Sequence, residues 1–307
     1  MKKKLLWGII VISAVAIIYG FLSSSEKSEL LTTNIDVVNK TIKEEDSFDD
    51  RRDGTFLSLV ESIFQNLSQV LRDDMTMLAA AASPSVKFVK VYPGMRKEEL
   101  VSFLSQKLAW NDFEEKQFLN IAKPMDMDDV EGYYYPDAYL LPPGIGGYET
   151  GKMMINRFND KVMTRYASST KKIISVDVAL KIASIIEREA GGKNDMRLIS
   201  GIIWNRIFKD MSLDMDATLQ YVKGNEGNGW WPKINSEDKF IESPYNTYRN
   251  KGLTPTPISN PQLASIEAAL NPKKTNCLFY LHDKYRRIHC SATYKEHVKN
   301  ITRYYGK

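Results

Sequence analysis

The feature that most constrains the fold is an amphipathic stretch at residues 175–190, which a pair of glycines follows. Ser175 is suited to cap the start of a helix, and Gly191 can take the left-handed conformation that closes one. Bulky apolar residues recur at helical spacing, namely Val178, Ile182, Ile185 and Ile186. The stretch therefore predicts a helix with one face in a protein core.

One carboxylate in this stretch, Glu187, differs in position from its neighbours. Its side chain shares a helix face with mostly small residues: Ala179, Leu180, Ala183 and Ser184. Such a face leaves room for a ligand and little water, and partial burial favours the protonated form of a carboxyl group, which can act as a general acid. Most helical glutamates are instead solvated or paired, here with Lys181 or Arg188. The helix alone favours that second interpretation.

Composition narrows the class of protein. The 307-residue chain is 43% hydrophobic and 26% charged, which is typical of globular proteins and allows two small domains. Its net charge of +4 comes from Lys and Arg interleaved with Asp and Glu, so nucleic-acid binding is not expected. The three histidines, His282, His289 and His297, match no helical zinc spacing. We expect no metal and no other cofactor.

Two cysteines, Cys277 and Cys290, flank a predicted hairpin with its turn at residues 283–286. A two-residue turn would place them opposite each other, whereas a four-residue turn would offset them by one pair. A disulfide and two free thiols are both open.

The N-terminus has the pattern of a membrane anchor. Three lysines in residues 1–4 precede an uncharged apolar run at residues 5–22, close to the length that spans a bilayer. The lysines predict a cytoplasmic N-terminus, with the rest of the chain on the other side of the membrane. A cleaved signal peptide is the alternative, although no Ala-x-Ala site follows. Residues 23–85 are expected to form a polar linker and a helix at 55–71.

The middle of the chain predicts a small α+β unit. Residues 86–92 alternate as a strand does, a Pro-Gly pair breaks the strand, and an amphipathic helix follows at 98–108. Four tyrosines cluster within residues 131–139, either as a packed corner or as a platform for a sugar ring. We favour packing, because buried tyrosines mostly serve it. Further helices are expected at 151–166, 195–208 and 262–270.

Several separated motifs then follow in a specific order: residues 131–137 (EGYYYPD), 183–189 (ASIIERE), 205–206 (NR), 213–221, 245–248 (YNTY), 252–261, 268–272 (AALNP) and 296–297 (EH). In this order they resemble the membrane-anchored endolytic lytic transglycosylases of bacteria, the MltG or YceG-like family. The resemblance extends from about residue 86 to the C-terminus, and a series of motifs is more specific than any single one.

The resemblance implies an α+β architecture: a transmembrane helix, a small LysM-like domain with a connecting helical region at residues 86–170, and a mixed α/β catalytic domain at 171–307. It implies that Glu187 is the catalytic acid. Four further residues match positions expected to bind substrate or to lie close to it, namely Tyr245, Asn246, Asp216 and Thr218.

The implied activity is endolytic cleavage of the β-1,4 bond between N-acetylmuramic acid and N-acetylglucosamine in nascent peptidoglycan, without water, which would terminate glycan elongation. Implied partners are glycan strands, the cytoplasmic membrane that the single-pass anchor crosses, and cell-wall synthesis proteins. Two alternatives are a hydrolytic muramidase and a non-catalytic wall-binding protein. The intact Glu187 motif argues against the second, and only product chemistry separates the first from a transglycosylase.

Overall fold

The computed structural model describes residues 30–44, 86–121 and 129–306. The predicted anchor at 5–22 and the predicted helix at 55–71 lie outside these residues. Within the described ranges, no helix is both long and apolar enough to cross a bilayer.

The described residues form a mixed α+β fold in which helices predominate. The helices are α1 Lys97–Leu108, α2 Asp112–Leu119, α3 Gly147–Phe158, α4 Ser168–Ile173, α5 Val176–Glu189, α6 Lys193–Phe208, α7 Asp216–Lys223, α8 Leu263–Leu270 and α9 Tyr294–Tyr305. A π-helical turn at Asn159–Met163 continues α3, and a 3-10 turn lies at Ser236–Phe240. The predicted helices at 98–108, 195–208 and 262–270 are confirmed.

The strands of the described residues are short and form antiparallel pairs. The strands are β1 Ile35–Asp36, β2 Thr41–Ile42, β3 Lys87–Lys90, β4 Ala138–Leu141, β5 Phe279–His282 and β6 Ile288–Ser291. Strand β1 pairs with β2, β3 with β4, and β5 with β6. The strand predicted at 86–92 is confirmed as β3. Its partner β4 and the helix α2 were not predicted.

Helix α5 lies at the centre of the core, as its apolar stripe predicts. It begins where the hydroxyl of Ser175 accepts a hydrogen bond from the backbone N–H of Val178, at 3.3 Å. Ile182, Ile185 and Ile186 are fully buried, and the helix packs against α6 and α8. The core is therefore built around the helix that carries Glu187.

The predicted end of this helix is wrong in detail. The C-cap is Ala190, in an extended conformation (φ −66°, ψ 134°), and Gly191 is not left-handed. A side chain at Gly191 would nevertheless collide with its surroundings, because a Cβ there would lie 2.8 Å from both the carbonyl oxygen of Arg286 and Oδ2 of Asp195. The glycine serves close approach rather than a left-handed turn.

The tyrosine cluster is part of the core. Tyr133, Tyr134, Tyr135 and Tyr139 are all at most 9% exposed. The Tyr134 hydroxyl donates to the carbonyl oxygen of Phe118 at 2.6 Å, and the two rings stack with centroids 4.5 Å apart. The packing interpretation is confirmed, because these rings present no open face to a sugar.

The C-terminal hairpin holds a disulfide between Cys277 and Cys290, whose Cα atoms are 5.8 Å apart. The backbone N–H of Asp283 donates to the carbonyl oxygen of Arg287 at 3.0 Å, which leaves residues 284–286 as the loop. Cys290 pairs with Tyr280 rather than with Cys277. Both predicted registers are therefore wrong, whereas the disulfide alternative is correct.

Reduction of this disulfide is expected to destabilise the hairpin. The bond links cysteines 13 positions apart, and closing a loop of that size stabilises a fold by roughly 2–4 kcal/mol, chiefly by restricting the unfolded chain. We expect dithiothreitol to lower the midpoint of urea unfolding. A double Cys277→Ser, Cys290→Ser variant is the control, since its midpoint should be low and insensitive to the reductant. Equal midpoints for the oxidised and reduced protein would contradict the expectation.

Candidate active site

Glu187 lies in the last turn of α5, where its carboxylate faces the start of α8. Its Oε2 accepts hydrogen bonds from the backbone N–H of Gln262 at 3.0 Å and from the hydroxyl of Ser265 at 2.7 Å. Its Oε1 accepts from Nε2 of Gln262 at 2.9 Å. The N-terminus of a helix stabilises negative charge through its free N–H groups and its dipole. The half-buried carboxylate is thus held in one orientation by three donors.

The hydrogen-bond count singles out one oxygen of Glu187. An ionised carboxylate offers about four lone-pair positions, two on each oxygen. Two donors engage Oε2 and one engages Oε1. Oε1 therefore keeps an acceptor position that no residue of the described ranges uses. A proton exchanged with a ligand would be carried there.

The face of small residues beside Glu187 is filled by the chain itself. The Pro-rich segment at residues 252–261 lies against α5, where two of its residues form hydrogen bonds with Ser184. The backbone N–H of Ile258 donates to Oγ of Ser184 at 3.0 Å, and Oγ of Ser259 donates to the Ser184 carbonyl at 3.2 Å. The prediction that this face leaves room for a ligand is wrong. The segment instead positions Gln262 against Glu187.

A glycine turn from the N-terminal unit forms one wall beside Glu187. Gly94, between β3 and α1, has φ +82°, and a Cβ on it would lie 3.5 Å from Cγ of Glu187 and 3.1 Å from Nη1 of Arg188. Backbone bonds hold the turn in place, from Gly94 N–H to the Asn260 carbonyl and from Asn260 N–H to the Met95 carbonyl, each at 2.9 Å. The sequence indicated only a break after a strand here.

The side chain of Asn260 joins the Pro-rich segment at residues 252–261 to the N-terminal unit, which comprises the glycine turn and the EGYYYPD motif. It is fully buried. Its Oδ1 accepts from the backbone N–H groups of Gly132 at 3.0 Å and Tyr134 at 2.9 Å. Its Nδ2 donates to the Met95 carbonyl and to Oε1 of Glu131, both at 3.0 Å. The EGYYYPD motif, the glycine turn and the Pro-rich segment thus meet at one amide.

Glu131 is a second buried carboxylate in this junction. It is fully buried and also accepts from the backbone N–H of Lys97 at the start of α1. Burial raises the pKa of Glu131 to about 8, and the charge of Glu98 acts in the same direction. Its hydrogen bonds to α1 and Asn260 give it a structural role in the junction.

Two of the predicted substrate-binding residues lie in the YNTY motif. Tyr245 is half-buried, and its hydroxyl lies 2.8 Å from Oγ1 of Thr256. Asn246 is fully buried, and its Nδ2 donates to the carbonyls of Lys239 and Ile241 at 3.0 and 2.7 Å. Asn246 therefore orders its own loop, while Tyr245 keeps an exposed portion. Their binding of substrate stays a prediction.

The other two predicted residues, Asp216 and Thr218, lie in α7 beside the same motif. Asp216 is exposed and accepts from the Tyr248 hydroxyl at 2.6 Å. It is the first residue of α7, whose N-cap is Met215. Thr218 is fully buried, with its hydroxyl 2.9 Å from that of Thr247. The structure thus brings the four residues into one neighbourhood, and their contact with substrate stays a prediction.

Glu189, on the same helix as Glu187, connects that helix to α7. Its Oε1 accepts from the backbone N–H of Ala217 at 3.0 Å, and its Oε2 accepts from the Tyr280 hydroxyl at 2.9 Å. Burial raises the pKa of Glu189, against the opposing effect of these two bonds. Glu189 therefore links α5 to α7 and β5, whereas Glu187 links α5 to the start of α8.

The histidines have structural partners. Nε2 of His282 lies 2.8 Å from Asp195, and Nε2 of His289 lies 3.1 Å from Asp283. His297 stacks on Phe279, and burial lowers the pKa of His297. In the described part of the chain, no three His, Cys, Asp or Glu side chains are grouped as metal ligands would be.

The chain belongs to the YceG-like family, whose sequence model matches residues 30–303. The family resemblance inferred from the motifs is thereby confirmed. Among the relatives, the endolytic murein transglycosylase of Bacillus subtilis (strain 168) is 34% identical over 236 residues, which is 75% of this chain and 62% of that protein. The endolytic murein transglycosylase of Streptococcus pneumoniae serotype 2 is 29% identical over 174 residues, 56% of this chain and 32% of that protein.

A solved structure supports the same grouping. The crystal structure of a yceG-like protein from Listeria monocytogenes superposes with a TM-score of 0.62 at 26% identity, covering 76% of this chain and 81% of that one. The chain spans less than two thirds of the length of the two curated relatives.

Proposed function

We propose that this protein is an endolytic murein transglycosylase that cuts the β-1,4 bond between N-acetylmuramic acid and N-acetylglucosamine without water. The position of Glu187 carries the proposal: one carboxylate, oriented by three donors, keeps a proton position on Oε1. Relatives named endolytic murein transglycosylases support this choice of reaction.

In this mechanism, Glu187 first donates its proton to the glycosidic oxygen as the bond to C1 of the muramic acid breaks. The bonds from Gln262 and Ser265 stabilise the carboxylate that this step leaves behind. That carboxylate then accepts the proton of the muramic acid C6 hydroxyl, whose oxygen bonds to C1. The products are a 1,6-anhydro end and a free N-acetylglucosamine hydroxyl, and Glu187 has its proton again.

This route needs no second catalytic carboxylate. A glycoside hydrolase ordinarily uses a pair of carboxylates across the bond, one of which acts as nucleophile or activates water. Glu189, on the same helix as Glu187, instead has its two oxygens bonded to Ala217 and Tyr280. The arrangement therefore favours transglycosylation over hydrolysis.

The proposal extends to location and partners. The apolar run at residues 5–22 anchors the protein in the cytoplasmic membrane, with the catalytic domain outside the cytoplasm. The unit that begins at β3 acts as a LysM-like glycan-binding domain, and its Gly94 turn lies against Glu187, which suits a strand crossing from one to the other. Cleavage of nascent strands beside the wall-synthesis proteins then terminates their elongation.

The length of the product strands tests the endolytic part of the proposal. Purified full-length protein in detergent is incubated with long glycan strands, and their lengths are followed by chromatography. We expect mean length to fall early, while few disaccharides appear. The Glu187→Gln protein should leave the lengths unchanged. Release of disaccharides from otherwise full-length strands would contradict internal cleavage.

Replacing Gly94 by alanine should reduce this activity. The left-handed backbone at Gly94 costs about 1 kcal/mol for a residue with a side chain, and the new Cβ would crowd the Arg188 side chain, at 3.1 Å from Nη1, beside Glu187. We expect kcat to fall by about tenfold or more, because small displacements of catalytic groups are costly. Gly144→Ala is the matched control: φ is +73° there, but a Cβ would meet nothing within 4 Å. Equal activity in the two variants would show that the contact is unimportant.

A further inference from the structure

Arg188, which follows Glu187, lacks the partners that a second enclosed arginine has. Within the described ranges, its guanidinium makes one hydrogen bond, from Nη1 to the Gly94 carbonyl at 3.4 Å, and its buried Nε has none. Arg206 instead donates to three backbone carbonyls and to Asp214, at 2.7–2.9 Å. An enclosed charge with a single long hydrogen bond is costly, so the contrast points to a partner beyond the described residues, such as a ligand.

The guanidinium of Arg188 lies over an indole ring. Its Cζ lies 3.8 Å from the centroid of the Trp231 ring. Trp231 is fixed in turn, because its Nε1 donates to Oε2 of Glu99 at 2.9 Å. Burial lowers the pKa of Arg188, so the surroundings penalise its charge more than the nearby carboxylates compensate it. The contact holds the guanidinium against Trp231 and leaves N–H donors for a ligand.

The chemistry of the proposed substrate offers such a ligand. A planar guanidinium binds a carboxylate through two parallel hydrogen bonds better than it binds other groups of a glycan. The sugars of murein are neutral apart from the lactyl group of muramic acid, which ends in a carboxyl group that is either free or extended by a peptide with its own carboxylates.

We propose that Arg188, stacked on Trp231, is a subsite for a carboxylate carried by the muramic acid at the cleaved bond. This inference rests on the proposed function, because it takes its substrate class from there. It makes Arg188 a residue that selects acid-bearing strands and positions them next to Glu187.

Binding to a protein that cannot cleave tests the subsite. Full-length Glu187→Gln protein is titrated calorimetrically with two glycan fragments, one with free lactyl carboxylates and one with attached peptides, and with each of these after its carboxyls have been amidated. We expect amidation to weaken binding by about tenfold or more, as expected for loss of an enclosed charge pair. The acidic fragment that binds more tightly identifies the source of the carboxylate.

Adding Arg188→Gln to this protein should produce the same loss with acidic fragments and no further loss with amidated ones. Arg188→Lys keeps the charge without the planar fork and should lie between. Lys172→Gln removes an exposed positive charge from α4 and should have no effect.

Two results would overturn the inference: equal weakening of acidic and amidated fragments by Arg188→Gln, or no measurable binding of any fragment. Failure of the proposed function is distinct, because it would appear as absence of anhydro products from the native protein while binding still depended on the carboxylate.

Discussion

Replacing Glu187 by glutamine is expected to reduce glycan cleavage by ~10²–10⁴-fold in kcat, the range that general acid–base catalysis supplies. Glutamine has nearly the same shape but carries no transferable acid proton. Its amide oxygen can still accept from the Gln262 N–H and the Ser265 hydroxyl, which contact Oε2 in the native protein. Substrate binding should change little, so the loss should appear in kcat rather than in KM. Rates on purified strands would measure it.

The folded state of the Glu187→Gln protein must be checked at the same time. We expect its urea unfolding midpoint to be close to that of the native protein, since two of the three hydrogen bonds can be kept. A Ser265→Ala variant is a useful comparison, because it removes one donor to Glu187 but leaves the acid in place. Native cleavage by the folded Glu187→Gln protein would exclude Glu187 as the catalytic acid.

Replacing Asn260 by alanine is expected to cause the largest loss of stability. The change leaves the buried backbone N–H groups of Gly132 and Tyr134 without their acceptor, and it removes one of the donors to the Met95 carbonyl and to Glu131. Each unsatisfied buried group costs ~1–3 kcal/mol, so the free energy of unfolding should fall by about 3–5 kcal/mol in total. Release of the Gly94 turn should also reduce cleavage. Urea unfolding, followed by circular dichroism, would measure the stability.

Asn246→Ala is the matched control, because Asn246 is also fully buried and well bonded. Its side-chain bonds reach residues two to seven positions away in one loop, whereas those of Asn260 reach residues 126–165 positions away. We expect Asn246→Ala to cost the smaller amount, about 1–2 kcal/mol. Equal losses from the two variants would contradict the view that Asn260 joins the two parts of the fold.

The sequence predicted those parts of the fold that depend on local pattern. The apolar stripe of Ile182, Ile185 and Ile186 was enough to predict α5, because a 3.6-residue period reports one buried face. The prediction of the β5–β6 hairpin followed from two apolar runs on either side of a polar turn at residues 283–286. The register of the hairpin could not be predicted in the same way. Arg286, whose left-handed conformation (φ 61°) shapes the loop, carries no sequence signal as strong as that of a glycine.

The surroundings of Glu187 could not be predicted, because they come from remote segments. The donors Gln262 and Ser265 are 75 and 78 positions from Glu187 in the chain. Gly94 has its role only through its contact with α5, and Asn260 only through its bonds to residues 94, 95 and 131–134. Periodicity within a helix can say which side chains share a face, but it cannot say which segment covers that face. The small residues beside Glu187 therefore suggest a ligand site in the sequence, whereas a proline-rich segment covers them in the structure.

The helix α2 was missed for a different reason. Its residues Asp112–Leu119 bury only Phe118, so they carry almost no apolar period. Its start is nevertheless marked in the sequence, since the Asn111 side chain accepts from the backbone N–H groups of Phe113 and Glu114, both at 3.0 Å. Asn111 is thus an N-cap signal that marks the start of this helix in the sequence.

The mass of the newly formed glycan ends, from digestion in water enriched in oxygen-18, tests the central claim most directly. We expect the full-length protein to release strands with 1,6-anhydro ends, one water lighter than reducing ends and free of the label, and the Glu187→Gln protein to release none. Labelled reducing ends would contradict transglycosylation, because they would show that water attacks C1 and that the site is hydrolytic.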